Sequence, residues 1–260
     1  MDENKAKIIK LFNDNIKGVE IDITNSNKKH CGKEGHWLEK KIGLKINSKN
    51  EPDIFGYEMK KYADKITIGD FSASEYLFSP INKRLYINNY NNWTYDIIIT
   101  KTEFIKYFGN LNPKNNRYSW SGVCVPKYDI WNDNGQTIKI NDNNDLIIIY
   151  SYSRDNRIEK LNFPEFLKKE DLIIAYWDNI KLKNNINNKF NKNGFFICKK
   201  EGNTYQKICF GKPFNFEYFI DCIKNRKIIF DSGMYEGNSR NYSHFRGSYF
   251  WDELITDVYS

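Results

Sequence analysis

The stretch Glu51-Pro-Asp-Ile-Phe-Gly-Tyr-Glu-Met-Lys60 predicts a β-hairpin that gathers two carboxylates and a lysine. With Phe55-Gly56 at the turn of a β-hairpin, Asp53 falls opposite Glu58, and side chains opposed in this way lie roughly 5 Å apart at Cβ. Lys60 follows Glu58 by two residues and therefore projects from the same face of its strand. Two carboxylates beside one ammonium group suit a Mg²⁺ ion and an activated water, so the stretch indicates a nuclease site.

A polar surface hairpin in a lysine-rich chain is the alternative interpretation of this stretch. An acidic residue followed two positions later by a lysine also occurs at Glu3/Lys5 and at Glu39/Lys41. Only the copy that begins at Glu58 has a Pro-Asp pair a few residues upstream and a glycine suited to a tight turn. The motif is therefore a hypothesis that the rest of the chain must support.

The composition indicates a folded protein with a basic balance of charge. Of the 260 residues, 40% are hydrophobic and 16% are aromatic, which excludes a disordered chain. The net charge of +7 favours polyanionic partners such as nucleic acid. No apolar run approaches the roughly 20 residues that cross a bilayer, and the first residues lack the apolar core of a signal peptide. We therefore expect a cytoplasmic protein with no membrane partner.

The cysteines argue against a disulfide framework, because the five of them are odd in number and scattered along the chain. A zinc site at His30-Cys31 and His36 is an alternative, but no paired cysteine spacing accompanies these residues. Free thiols and surface histidines are the simpler explanation.

Hydrophobic patterning predicts a mixed α/β fold in a chain that no repeat or linker divides. Helices are predicted over residues 2–16, 34–44, 102–108, 171–192 and 216–224. Strands are predicted over residues 66–68, 85–87, 95–100, 122–126, 137–140, 145–151, 195–199, 207–210 and 227–230, with a polar loop over 110–116. Glu39 lies on the apolar face of the second helix, either half-buried beside a cation or metal or solvated at the rim. Because the hairpin follows closely, Glu39 could reach the same metal.

A second informative stretch runs from Asp231 to Gly247 and is rich in glycine, arginine and aromatic residues. The candidate DNA contacts in it are Arg240, Tyr242, His244 and Arg246. Arginine offers a planar fork for guanine or phosphate, and aromatic rings offer flat packing surfaces. A surface loop whose arginines pair with nearby acids is the alternative. Trp120 is a weaker DNA-contact candidate, since tryptophan is more often packed than exposed.

These blocks together resemble a known family. Glu39 in a helix, the stretch Asn50–Asp53 and the stretch Gly56–Lys60 resemble the MutH/Sau3AI-like branch of the PD-(D/E)xK nucleases. The short interval between the aspartate and the glutamate is most similar to the MvaI/BcnI group of type II restriction endonucleases. The Tyr-Ser-x-Phe-Arg spelling that begins at Tyr242 also resembles the C-terminal region of that group. The matched blocks lie near both ends of the chain.

The resemblance implies a restriction-endonuclease-like mixed sheet flanked by helices, in two lobes around a DNA cleft. The 260 residues form a single endonuclease unit, with a catalytic lobe over about 1–160 and a recognition-biased lobe over about 161–260. The resemblance further implies a bacterial, monomeric, Mg²⁺-dependent enzyme in which Mn²⁺ substitutes. Such an enzyme closes around double-stranded DNA and cuts one strand per binding event at a short, nearly palindromic site. A cognate DNA methyltransferase is implied genetically rather than as a bound partner.

The roles of the site residues follow from this hypothesis. Asp53, Glu58 and the backbone carbonyl of Met59 hold the metal, and Lys60 orients the attacking water. Glu39 binds a metal directly or through a water. Two alternatives stay open: a strand-specific nickase of the MutH type that responds to a partner ATPase, and a non-catalytic DNA-binding protein in which the same residues form a surface ion cluster.

Overall fold

The computed structural model describes residues 2–24, 32–44, 50–90, 97–248 and 250–260. The helices are α1 (Glu3–Asn15), α2 (Lys33–Lys41), α3 (Leu85–Tyr90), α4 (Lys101–Phe108), α5 (Asn179–Phe190) and α6 (Phe216–Lys224). The strands are β1 (Glu58–Lys61), β2 (Ile66–Asp70), β3 (Glu75–Tyr76), β4 (Asn110–Asn112), β5 (Arg117–Trp120), β6 (Asn134–Ile140), β7 (Leu146–Asp155), β8 (Leu172–Trp177), β9 (Phe195–Glu201), β10 (Thr204–Gly211), β11 (Ile228–Asp231), β12 (Met234–Tyr235), β13 (His244–Gly247) and β14 (Ile255–Tyr259). The predicted mixed α/β class is confirmed.

The chain forms two compact units that alternate along the sequence. The first comprises Met1–Ile66, Lys183–Phe219 and Ser248–Ser260, and the second comprises Thr67–Leu182 and Ile220–Gly247. The sequence-based boundary near residue 160 divides the chain by function rather than by contacts, and it stays a prediction. None of the described helices has both the length and the apolar character needed to cross a membrane.

A four-stranded sheet in the order β1-β9-β10-β14 is the framework of the first unit. β1 runs parallel to β9, whereas β10 runs antiparallel to both β9 and β14. α1 begins where the Asp2 carboxylate accepts hydrogen bonds from two backbone N–H groups of the first turn. The four-residue spacing of Ile8, Phe12 and the C-cap residue Ile16 places all three on one side, and they are buried in a core with side chains of β1, β9 and β10.

Three sheets build the second unit, in the orders β3-β8-β7-β6, β12-β5-β4 and β11-β13-β2. The longest pairing joins β6 and β7 in antiparallel register, with Ile138 opposite Ile148. Large aromatic side chains, Trp120 and Trp177 among them, fill the core, and the rings of both contact Phe230.

The prediction of one helix over 171–192 is wrong in its first half. Residues Leu172–Trp177 form β8, and all six are buried. This strand pairs on one side with β7 and on the other with β3, so it lies inside its sheet. A short apolar run fits a buried strand as well as a helix, and pairing on both sides decided between them. The second half of the predicted segment is α5, as expected.

The predicted strand over 85–87 is also wrong, because these residues begin helix α3. The buried Glu75 carboxylate accepts hydrogen bonds from the backbone N–H groups of Tyr86 and Ile87, each at 3.1 Å. A carboxylate in this position satisfies the free N–H groups of a first helical turn and complements the helix dipole. A tertiary contact has therefore overridden the β-propensity of the local sequence.

Three smaller differences concern loops of the second unit. Residues Gly122–Cys124 form a 3₁₀ helix instead of a strand, since Gly122 has a φ of +68°, which a strand does not accommodate. The predicted polar loop over 110–116 begins with the short strand β4. Of the predicted strand 95–100, residues 95 and 96 lie outside the described residues, and 97–100 are irregular.

Candidate active site

The hairpin that the sequence predicts is present in the first unit. Ile54 and Tyr57 exchange two backbone hydrogen bonds of 3.1 and 2.8 Å across the turn. Phe55 and Gly56 have φ values of +49° and +83°, as a two-residue hairpin turn requires. The side-chain amide of Asn193 donates to the Phe55 carbonyl at 2.9 Å, which fixes the turn to the segment before β9.

Asp53 reaches from the first arm of the hairpin to the second. Its Oδ2 accepts a hydrogen bond from the Met59 backbone N–H at 2.8 Å. β1 then continues beside β9, and the alternation of a strand places Tyr57 and Met59 in the hydrophobic core. Glu58 and Lys60 consequently share the opposite face.

On that face, Glu58 and Lys60 form a buried ion pair. The Lys60 Nζ lies 2.8 Å from Glu58 Oε1, and Glu58 is only 2% exposed. The second carboxylate oxygen, Glu58 Oε2, is buried without a hydrogen-bond partner. A buried acceptor left unsatisfied is expensive, so this atom marks a position suited to a cation.

Lys189, in the last turn of α5, is a residue of the site that the sequence analysis missed. Its Nζ lies 3.0 Å from the same Glu58 Oε1, and its side chain is 17% exposed. Nothing in the local sequence distinguishes Lys189 from the other lysines of α5. Only the parallel pairing of β1 with β9 brings the end of this helix, which precedes β9 in the chain, to the hairpin.

The pKa values of the cluster reflect burial and mutual repulsion between carboxylates. Burial, followed by the negative charge of Glu58, raises the pKa of Asp53 to about 6. Burial lowers the pKa of the Lys60 ammonium below its usual range, against the pull of the Glu58 charge. In both groups burial disfavours the charged form more than the opposite charges nearby stabilise it.

Glu39 stands at a greater remove from the cluster. Its carboxylate is half-buried on α2, and burial raises its pKa, while the charges of Lys60, Glu58 and Lys189 all act on it. No direct contact with Asp53 or Glu58 is seen. Within the described residues, no three His, Cys, Asp or Glu side chains are arranged to hold a metal ion. The structure therefore brings together Asp53, Glu58 and Lys60, and places Glu39 within their electrostatic field.

The donor set fits a divalent cation of the Mg²⁺ type. The Met59 N–H holds Asp53, and the Lys60 ammonium holds one oxygen of Glu58. The other Glu58 oxygen is buried and unpaired, and the pKa of Asp53 is raised. Hard oxygen ligands of this kind are what Mg²⁺ prefers.

Comparison with known proteins decides the class. The sequence profile described as LlaMI restriction endonuclease matches residues 16–259. The chain belongs to the LlaMI restriction endonuclease family. It is 38% identical over 276 residues, with 100% of both chains covered, to the type II restriction enzyme ScrFI of Lactococcus lactis subsp. cremoris. The sequence-based prediction of a sequence-specific type II restriction endonuclease is thereby confirmed.

A solved structure confirms the predicted fold of this endonuclease. The complex of restriction endonuclease MvaI with its cognate DNA substrate superposes with a TM-score of 0.59, covering 100% of this chain and 98% of that one. Identity is 15%, so the likeness concerns the fold alone.

The arginine-rich loop of the second unit is held by two aspartates. Arg240 Nη2 lies 3.1 Å from Asp70 Oδ2, and its side chain remains 69% exposed. Asp70 Oδ1 also accepts the Ser243 backbone N–H at 2.7 Å. The guanidinium of Arg240 lies 5.1 Å from the Tyr242 ring centroid, which adds a cation–π contact. The alternative in which arginines pair with nearby acids is thus realised, and the exposure leaves Arg240 accessible to a ligand.

His244 and Arg246 lie two residues apart on β13 and share a face, while Phe245 between them is buried in the core. Arg246 Nε lies 3.5 Å from Asp231 Oδ2, and its Nη2 is 3.4 Å from His244 Nδ1. Burial, with a contribution from the Arg246 charge, lowers the pKa of His244. The endonuclease thus carries a second, more exposed group of charges.

Trp120 is not a surface residue. Its side chain is fully buried, and the indole N–H donates to Gln136 Oε1 at 2.8 Å. The prediction of a DNA contact by this ring is therefore wrong, because a side chain without exposed surface cannot touch DNA. The zinc alternative depended on His30 and Cys31, which lie outside the described residues; the four described cysteines are buried.

Proposed function

We propose that the endonuclease hydrolyses phosphodiester bonds of double-stranded DNA at a short specific site and that Mg²⁺ binds at Asp53 and Glu58. The observation that carries this proposal is the buried, unpaired Glu58 Oε2, in a carboxylate whose charge acts on Asp53 across the hairpin. The backbone carbonyl of Met59 completes the protein ligands, and Glu39 binds a metal directly or through a water. Mn²⁺ is expected to substitute, because it takes the same oxygen ligands.

When bound, Mg²⁺ supplies Lewis-acid stabilisation of the negative charge that develops on the phosphate. The protein's own contribution is positioning and electrostatics. The Lys60 ammonium, held by Glu58 at 2.8 Å, orients the attacking water and favours loss of its proton. The lowered pKa of Lys60 makes its proton easier to exchange than that of a solvated lysine. Burial of the site keeps competing water away from these groups.

Arg240, Tyr242, His244 and Arg246 are proposed to contact DNA. The support is the 69% exposure of the Arg240 side chain and the position of its guanidinium over the Tyr242 ring. Asp70 and Asp231 orient the two arginines, which lowers the entropy that is lost when a guanidinium binds a base edge or a phosphate. The enzyme is further proposed to act as a monomer and to have a cognate DNA methyltransferase in its host.

The first experiment is digestion of unmethylated DNA by the purified protein, with Mg²⁺ and with EDTA, followed by sequencing of the ends. Discrete Mg²⁺-dependent fragments are expected. Nicked circles alone would favour a strand-specific nickase of the MutH type. Binding without any metal-dependent cleavage would make the protein a non-catalytic DNA-binding protein.

The matched variants are Lys60→Ala and Lys61→Ala. Lys60 pairs with Glu58, whereas the neighbouring Lys61 pairs with Glu34 at 2.8 Å on the other face of β1. We expect Lys60→Ala to lower the cleavage rate at least about 10³-fold while specific DNA binding persists. Lys61→Ala should cleave at nearly the wild-type rate. Normal cleavage by Lys60→Ala would remove Lys60 from the mechanism.

A further inference from the structure

Lys189 is the cation of the site that the proposed mechanism does not use. Lysine in the last turn of a helix usually stabilises the helix dipole from the surface. Lys183, nearer the start of the same helix, is an exposed lysine that pairs with Glu217. Lys189 differs, because its ammonium lies 3.0 Å from a carboxylate that is buried with only 3% of its side chain exposed.

Glu58 Oε1 carries two ammonium groups at once, Lys60 at 2.8 Å and Lys189 at 3.0 Å. An oxygen with two donors has little capacity for another partner. Oε2 of the same carboxylate, in contrast, has no hydrogen-bond partner. The cluster therefore places two cations at one oxygen of the buried carboxylate and, among the described residues, no hydrogen-bond donor at the other. Burial raises the pKa of Asp53 and of Glu39, and the charge of Lys189 acts against that rise in both groups.

A divalent ion bound by Glu58 and Asp53 would add two positive charges a few ångströms from both lysines. Like charges at about 4 Å repel strongly at the effective dielectric constant of a protein site. Lys60 is attached to β1, which the β9 ladder fixes, and its ammonium lies 5.6 Å from the Phe190 ring. Lys189 lies at the end of a helix and has a long, rotatable side chain. Because this side chain is partly exposed, its ammonium can turn towards solvent.

We propose that Lys189 is a positioning residue that holds Glu58 in the metal-free enzyme and competes with the divalent metal for it. The side chain neutralises the buried carboxylate until the metal arrives and then leaves Glu58. The inference rests on the proposed function, since it requires that Asp53 and Glu58 form the metal site.

The test measures metal binding without DNA and without turnover. Mn²⁺ is titrated into the DNA-free, full-length protein, and the free ion is followed by its electron paramagnetic resonance signal. We expect Lys189→Met to bind Mn²⁺ about five- to tenfold more tightly than wild type, because removal of the competing charge favours the ion. Lys189→Arg keeps the charge and should bind as wild type does. Lys183→Met is the matched control on α5 and should also leave the affinity unchanged.

The outcomes separate the two proposals. The control is that the Asp53→Asn variant loses the Mn²⁺ binding that wild type shows. If it does, unchanged or weaker Mn²⁺ binding by Lys189→Met would overturn the proposed competition. If the wild-type protein binds no Mn²⁺, or if Asp53→Asn has no effect, the proposed metal site itself fails. Lys189→Gln, which keeps a polar group at this position, serves as the second variant if circular dichroism shows that Lys189→Met is unfolded. Its affinity must likewise rise for the inference to stand.

Discussion

The charged cluster around Glu58 and the arginine-rich loop around Arg240 both pair acidic with basic side chains, but under opposite conditions of burial. Glu58 is 2% exposed, and one of its oxygens is without a partner. Arg240 is 69% exposed and pairs with Asp70, which also holds the backbone of the loop. The buried carboxylate of the cluster is in an unfavourable environment, and a bound cation would stabilise it. The charge of Arg240 is already compensated by Asp70, so a ligand of the loop contributes specificity instead.

The largest contrast is expected from Asp53→Asn. Asparagine can still accept the Met59 N–H, but it lacks the charge that a divalent ion requires. We expect cleavage to fall at least about 10³-fold. Without metal, however, the variant should be more stable than wild type at pH 7.5 by about 1–2 kcal/mol, because an unfavourable buried charge has been removed. Urea denaturation in EDTA measures this difference.

The pH dependence of that difference follows from the pKa of Asp53. Folding raises it from an ordinary 3.8 to about 6, so the native state binds the proton more tightly than the unfolded state. The stability that Asp53 contributes is therefore complete below pH 3.8 and is lost as the pH rises through 6. The gain from Asp53→Asn should accordingly be present at pH 7.5 and small at pH 4. A gain that is equal at both pH values would show that Asp53 is not the titrating group.

A smaller effect is expected from the two arginines. If Arg246→Ala removes a base contact, specific binding should weaken by about 1–3 kcal/mol, with relaxed selection at one position of the site. Arg240 is the more exposed of the two, with 69% of its side chain accessible against 29% for Arg246, so Arg240→Ala should have the weaker effect. Competition binding against site variants in Ca²⁺ measures both. Equal loss on every DNA sequence would make these residues phosphate contacts instead.

The smallest effect on DNA is expected from Trp120→Phe. The ring is fully buried, so DNA affinity should not change. The substitution leaves Gln136 Oε1 without the indole N–H that donates to it at 2.8 Å, and the free energy of unfolding should fall by about 1–3 kcal/mol. Thermal denaturation and DNA binding, measured on one preparation, separate the two quantities. Weaker DNA binding by a variant of wild-type stability would restore Trp120 as a DNA contact.

The hairpin and its charges could be predicted from the sequence because they depend on residues within one short stretch. Phe55-Gly56 supplies the turn, and strand alternation places Glu58 and Lys60 on one face. The secondary structure of β8 and of the start of α3 was predicted wrongly, because no local sequence pattern determines it. β8 is a strand because it pairs with β3 and β7, and α3 is a helix because Glu75 caps it.

The sequence by itself determined the family, the mixed α/β class and the hairpin that groups Asp53, Glu58 and Lys60, because a tight turn and a strand period of two are short-range rules. Tertiary structure alone decided that Lys189 reaches Glu58, that Asp70 and Asp231 hold the arginines and that Trp120 is buried. Each of these contacts joins residues far apart in the chain. Their proximity depends on which strands pair and which faces pack, and local propensities do not determine either.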